Sequence, residues 1–216
     1  MNEKDTALVL ANFLLQIKAI KLNPASPFTW ASGLKSPIYC DNRITLSYPN
    51  IRTFIREAFV KKCIERYGKP DLIAGVATGG IPQGALVAQD LGLPFCYVRS
   101  EAKSHGLNNQ VEGVVQKGAS VVVIEDLVST GKSSLAAVEA LREKGAKVKG
   151  MMAIFTYQLD VATEAFKNAD CDLVTISNYE ALIKKAVEEN YVSDDQMASL
   201  MEWRKNPQAW SDARLV

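Results

Sequence analysis

The sequence predicts an α/β fold in which a central, mostly parallel sheet carries helices on both faces. Three observations predict it. Short, almost wholly apolar runs recur at 72–76, 95–98, 121–124 and 151–155, as expected of strands buried on both sides. The segments at 82–91 and 132–143 read as helices set between those runs. Turn chemistry such as Gly68-Lys69-Pro70 and Thr78-Gly79-Gly80 punctuates the alternation. Ligands of such sheets sit beyond the carboxyl ends of the strands, so the loops after Val76, Val98 and Ile124 are where function is sought.

Each element follows in order. Residues 5–20 read as a helix, with Leu8, Phe13, Leu15 and Ile20 among its candidate core residues. Asn23-Pro24-Ala25-Ser26-Pro27 breaks the chain, and 28–43 reads as irregular and short-stranded. Pro49 opens a second helix, in which Ile51, Phe54, Ile55, Ala58 and Phe59 follow helical spacing until Gly68-Lys69-Pro70 stops it. The strand at 95–98 leads into a polar loop over 100–112, and a further strand is expected at 173–176. Residues 191–216 carry no functional signal; Trp203 and Trp210 there read as packing or interface residues.

Composition narrows the function classes. The 216 residues hold 25 Lys+Arg against 24 Asp+Glu, a net charge of +1, which offers no general attraction to nucleic acid or acidic membranes. A small anionic substrate remains open, because a total says nothing about local charge. Cys40, Cys63, Cys96 and Cys171 form no CxxC pair, which fits reduced thiols in a cytoplasmic protein better than a zinc site or disulfide framework. The uncharged stretch 72–89 contains Thr78-Gly79-Gly80-Ile81-Pro82, turn chemistry that argues against a membrane span. The amino terminus reads as an amphipathic helix rather than a signal peptide.

The most specific string is 121–134, VVVIEDLVSTGKSS. Four aliphatic residues end in the carboxylates Glu125 and Asp126, and Ser129-Thr130-Gly131-Lys132-Ser133 leads into a helix. A strand-to-helix turn of this kind offers unpaired N–H groups and a positive helix end to a phosphate. A Walker A loop would need glycine where Asp126 stands, and the paired carboxylates suit sugar hydroxyls or a metal rather than a triphosphate. The string resembles the 5-phosphoribosyl-1-pyrophosphate (PRPP) signature of the type I phosphoribosyltransferases. That resemblance implies the fold of the family, with a small N-terminal hood at about 20–45, a PRPP-binding core at about 70–160, and one domain over 1–216. It implies that Glu125 and Asp126 hold the ribose hydroxyls while Ser129, Thr130, Gly131, Lys132 and Ser133 wrap the 5′-phosphate, with Leu127 and Val128 also among the PRPP-binding residues.

Three further segments are similar to the orotate branch of that family. Residues 28–43, FTWASGLKSPIYCDNR, resemble the hood that closes over the pyrimidine; Lys35 can answer a carboxylate and Tyr39 offers an aromatic face. GVATGGIPQG, at 75–84, resembles the pyrophosphate loop, so Ala77, Thr78, Gly79 and Gly80 are expected on pyrophosphate, with a non-proline cis peptide at Ala77–Thr78. Taken alone, glycines in a strand-to-helix turn are explained as well by tight packing. YVRSEAKSHG, at 97–106, resembles the catalytic loop, which in the family reaches the active site of the neighbouring subunit of a homodimer; Arg99, Lys103 and His105 occupy its basic positions.

Departures accompany the match. Ser100 follows the loop arginine where many members have a second basic residue, Ala31 and Gly79 stand where some have lysine, and Tyr157-Gln158-Leu159-Asp160 supplies no arginine for the base. The resemblance implies transfer of ribose 5-phosphate from PRPP to orotate, giving orotidine 5′-monophosphate and pyrophosphate in UMP biosynthesis. It implies Mg²⁺ held mainly by substrate oxygens, with Lys103, Arg99, His105 and Asp126 as catalytic residues and Ser129, Lys35 and Tyr39 on orotate. Two other readings are open: a purine phosphoribosyltransferase with the same PRPP loop, and a PRPP-sensing regulator that binds nucleic acid. The hood and catalytic loop disfavour the first; the balanced charge and lack of spare length disfavour the second.

Overall fold

The structure is a computed structural model that describes residues 3–30, 32–100 and 110–214. Helix α1 (Glu3–Gln16) is followed by strands β1 (Ile20–Leu22), β2 (Phe28–Thr29), β3 (Lys35–Ser36) and β4 (Ile38–Cys40), then by a 3-10 turn (Asn42–Ser47) and α2 (Pro49–Tyr67). The central region runs β5 (Leu72–Val76), α3 (Gly80–Leu91), β6 (Phe95–Val98), β7 (Val111–Glu112), β8 (Ser120–Val128), α4 (Lys132–Glu143) and β9 (Lys147–Thr156). The chain ends in α5 (Asp160–Asn168), β10 (Leu173–Asn178), α6 (Tyr179–Glu188), α7 (Asp194–Lys205) and α8 (Pro207–Asp212).

The sheet has the order β10-β9-β8-β5-β6-β7. All of its pairs are parallel except β6 with the edge strand β7. Alternation along β8 divides the interior between two cores. Val122 and Ile124 enter one with residues of α1, α2 and α6, while Val121 and Val123 enter the other with Val138 and Leu141 of α4. Successive residues of a strand point to opposite faces, so an unbroken aliphatic run serves both.

Several expected boundaries move. The first helix ends at Gln16 rather than 20: Lys18 takes a positive φ of 57°, and Ile20, still buried, pairs with Cys40 in a small antiparallel ribbon. The short-stranded region resolves into this ribbon and a second one, β2 with β3. Helix α3 begins two residues before the expected 82, because Gly80 can lie directly on β8: a Cβ there would overlap the Ile124 carbonyl oxygen. Strand β8 continues through the acidic pair to Val128 instead of ending at Ile124, since β9 pairs with it as far as Val128↔Thr156. The polar loop ends in β7, and α5, α6, α7 and α8 had no expected counterpart.

Among the described residues no helix is long and apolar enough to cross a membrane. All four cysteines are free.

Gly80→Ala forces α3 away from β8. Overpacking of this kind commonly destabilises by about 1–3 kcal/mol, so the urea midpoint should fall clearly below that of the parent. An unchanged midpoint would contradict the close approach.

Candidate active site

Strands β5 and β8 lie side by side in parallel, with Gly75 opposite Ile124, so their following loops meet. Glycine makes the meeting close. A Cβ on Gly75 would lie 2.8 Å from the Gly80 carbonyl oxygen, and one on Gly79 would overlap the Asp126 carboxylate. The Ala77–Thr78 peptide is cis, as the resemblance implies. Ala77 donates its N–H to the Val98 carbonyl at 2.8 Å, so the loop is also tied to the end of β6, next to Arg99. Residues 77–80 and the acidic string thereby share one place. A cavity of about 310 Å³ opens there, lined by Ala77, Glu125, Asp126, Ser129, Thr130 and Ser133 among others. A larger groove of about 430 Å³ lies beside Glu3 and Lys62, but none of the phosphate-loop residues line it.

The two adjacent carboxylates have different surroundings. Glu125 continues the α4 side of β8 and is only 5% exposed. Its Oε2 accepts the Ser134 hydroxyl at 3.0 Å and its Oε1 accepts the Asp126 N–H at 2.9 Å. Burial, reinforced by the Asp126 charge, holds its carboxyl well above the usual 4.5. Asp126 is half-buried beside Gly79, and its main-chain carbonyl accepts the Asn42 amide at 2.6 Å.

The loop after β8 is shaped for an anion. Gly131, at φ 84°, precedes α4 in the left-handed region, and a Cβ there would press on the Phe166 ring at 2.9 Å. No side chain caps α4, so its first-turn N–H groups and positive dipole end are left for a ligand. Lys132 and Ser133 are exposed at that turn, as is Thr130, with Ser129 half-buried. Leu127 packs against one core; Val128 is fully buried in the other, and its carbonyl accepts the Tyr157 N–H at 3.3 Å.

The remaining expected residues fall into two groups. Lys35 donates through Nζ to Thr29 Oγ1 at 2.9 Å across the β2–β3 ribbon, and Tyr39, 40% exposed, lies against the Phe28 ring at 5.8 Å. Arg99 leaves β6 with its guanidinium 3.7 Å from Glu112. Lys103 and His105 lie outside the described residues, as does Ala31.

Three residues beyond the expected set join the site. Asn42, 1% exposed, holds the Asp126 carbonyl, and Ser134 holds Glu125. Tyr157 follows β9, is 2% exposed, and stacks on Trp30 at 5.4 Å. Asn42 lies in the quoted hood segment, yet its bond joins positions 84 residues apart. Ser134 closes the quoted string 121–134 and Tyr157 opens the segment 157–160, but no local pattern shows what either touches.

Comparison with known proteins matches residues 47–188 to the phosphoribosyl transferase domain family. An orotate phosphoribosyltransferase of Bacteroides thetaiotaomicron is 56% identical over 207 residues, covering 96% of this chain and 98% of its own. This chain belongs to the orotate phosphoribosyltransferases. One from Listeria innocua is 55% identical over 201 residues, 93% of this chain and 96% of that one. The crystal structure of the orotate phosphoribosyltransferase of Aeropyrum pernix has a TM-score of 0.74 at 28% identity, over 85% of this chain and 99% of that one.

Glu125 gives this site a pH signature. Its folded pKa is raised above 4.5, so the native state binds the proton more tightly than the unfolded chain does. Its contribution to stability is therefore complete below pH 4.5 and is lost as pH rises through the folded value. Relative to the parent, Glu125→Gln should gain stability between pH 4.5 and neutrality, measured as urea unfolding free energies across that range. A difference independent of pH would refute the raised pKa.

Proposed function

We propose that this enzyme transfers ribose 5-phosphate from PRPP to N1 of orotate, releasing pyrophosphate and forming orotidine 5′-monophosphate for UMP biosynthesis. The observation that carries this reading is the contact between the two loops: Gly79 has no Cβ, and the Asp126 carboxylate lies in the space one would fill. The ribose-side carboxylate and the pyrophosphate loop therefore adjoin within one cavity, the separation that a single PRPP molecule demands. The α4 turn, residues 129–133, takes the 5′-phosphate on its N–H groups. Asp126 and Glu125 take the ribose hydroxyls, with Glu125 held in place by Ser134. The loop at 77–80 takes pyrophosphate, with Arg99 beside it, and Lys35, Tyr39 and Ser129 face orotate.

Bond cleavage at the anomeric carbon leaves positive charge on the ribose and negative charge on pyrophosphate. Cations aimed at the leaving group lower that barrier; Lys103 takes this role, with Arg99 and His105. The Asp126 carboxylate tolerates the positive sugar. Orotate requires little general-base help, because its dianion already carries electron density at N1.

A divalent ion suits the donor set. Asp126 stands beside the phosphate loop, and a hard-oxygen donor there suits Mg²⁺ held mainly by substrate oxygens with few protein ligands. Bound there, Mg²⁺ supplies positive charge to the pyrophosphate oxygens. The chain works as one catalytic unit over 1–216, in the cytoplasm, as a homodimer whose catalytic loops are exchanged between subunits.

The deciding assay is loss of orotate absorbance with PRPP and Mg²⁺, with uracil and hypoxanthine as alternative bases. Orotate alone should be consumed, and chelation should stop the reaction until Mg²⁺ is restored. Turnover of hypoxanthine in place of orotate would overturn the assignment. Removal of one preorganised electrostatic donor commonly lowers the rate about 100- to 1,000-fold, so Lys103→Ala should lose activity on that scale while remaining folded. Mixing inactive Lys103→Ala chains with inactive Asp126→Asn chains should restore part of the turnover. No recovery in verified hybrid dimers would refute the exchanged loop.

A further inference from the structure

The last helices reach back to the hood. Ser211 of α8, 1% exposed, accepts the Lys35 main-chain N–H on its Oγ at 2.9 Å, across 176 positions of sequence. Trp203 of α7 is completely buried. Its ring meets Trp30 of the hood at 5.7 Å, Tyr157 at 5.5 Å and Tyr179 at 5.5 Å. Trp30 in turn stacks on Tyr157 at 5.4 Å and donates its indole N–H to the Ile38 carbonyl at 3.0 Å. Tyr157 lies at the carboxyl end of β9, within electrostatic reach of Asp126, Cys40 and Tyr39. One aromatic column thus joins the C-terminal helices, the hood and the rim of the active site. The helices themselves are pinned: Tyr179 donates its hydroxyl to the Leu200 carbonyl at 2.9 Å, and Trp210 donates its indole N–H to Ser199 Oγ at 3.1 Å.

We propose that α7 and α8 are a clamp that fixes the hood over the base site, with Trp203 and Ser211 as positioning residues for orotate. The proposal rests on the reading that Lys35 and Tyr39 face the base. The β2–β3 ribbon has only two residues in each strand, and so short a ribbon is not stable by itself. Its placement must come from outside contacts. Ser211 binds the backbone of Lys35 itself, while its Nζ remains on the far side of the ribbon at Thr29. Trp203 acts through packing, since its indole N–H has no hydrogen-bond partner among the described residues. A phenyl ring should therefore preserve most of its effect. On the same reading PRPP is held by the loops after β5 and β8, which Trp203 reaches only through Tyr157 and its bond to the Val128 carbonyl.

The test is steady-state kinetics on the full-length enzyme carrying Ser211→Ala, Trp203→Leu or Trp203→Phe, with melting temperature and hydrogen exchange of residues 28–36. Loss of one neutral hydrogen bond corresponds to about a two- to tenfold effect. Ser211→Ala should raise the orotate KM on that scale, keep the PRPP KM within about twofold, and speed amide exchange in the hood. Trp203→Leu should do the same more strongly, and Trp203→Phe should return most of the orotate KM. A purely structural role would lower the folded fraction without separating the two KM values, and that outcome overturns the clamp. So does an unchanged orotate KM in a folded Ser211→Ala enzyme, which decides the matter alone if Trp203→Leu does not fold. Lys35→Ala separates the two ideas. An unchanged orotate KM there sinks the hood reading, whereas a raised one beside a silent Ser211→Ala sinks only the clamp.

Discussion

The site depends on how closely α3 approaches β8. Parallel strands place their following loops together at one end of the sheet, but ordinary side chains would hold a helix away from the neighbouring strand. Here Gly80 meets the Ile124 carbonyl, Gly75 meets Gly80, and Gly79 yields its side-chain space to Asp126. Each contact is incompatible with a Cβ. Removing three side chains lets the loop at 77–80 and the Asp126 carboxylate occupy one place. Ala77 then carries the arrangement to β6 through its bond to Val98, and so to Arg99 beyond it.

Strand periodicity sorts the acidic pair. The alternation that sends Val122 and Ile124 to one core and Val121 and Val123 to the other continues through Glu125 and Asp126. Two neighbours in sequence thereby acquire opposite surroundings. Glu125 is buried against Ser134 with its carboxyl pushed upward, while Asp126 faces the glycine loop. In one position the carboxyl is bonded to Ser134 and a main-chain N–H; in the other it lies half-buried beside the glycine loop. The net charge of +1 conceals this sorting, and Lys132 and Arg99 follow β8 and β6 at the same end of the sheet as Asp126.

Much of the fold was legible where one local pattern sufficed. The aliphatic runs marked β5, β6, β8 and β9, Pro49 and Gly68 bounded α2, and α4 occupies the expected residues. The errors share a cause. The end of α1, the length of β8 and the strand β7 are set by pairing with distant segments, Ile20 with Cys40, Val128 with Thr156 and Val98 with Val111. Within the site, the EDLVSTGKS and VATGGIP strings were readable because tight turns and anion binding restrict residue choice at fixed spacing. Asn42, Ser134 and Tyr157 were not, since an ordinary polar or aromatic side chain gains its role only from its neighbours.

The sequence by itself determined the sheet, the glycine turn into α4 and the family, because each follows from periodicity or from contiguous residues whose spacing is chemically constrained. Only the tertiary structure decided that Glu125 is buried while Asp126 faces the glycine loop, and that a serine near the end of the chain holds the backbone of Lys35. Burial and hydrogen bonding are properties of what surrounds a residue. Across 176 positions of chain, packing alone determines which surroundings those are.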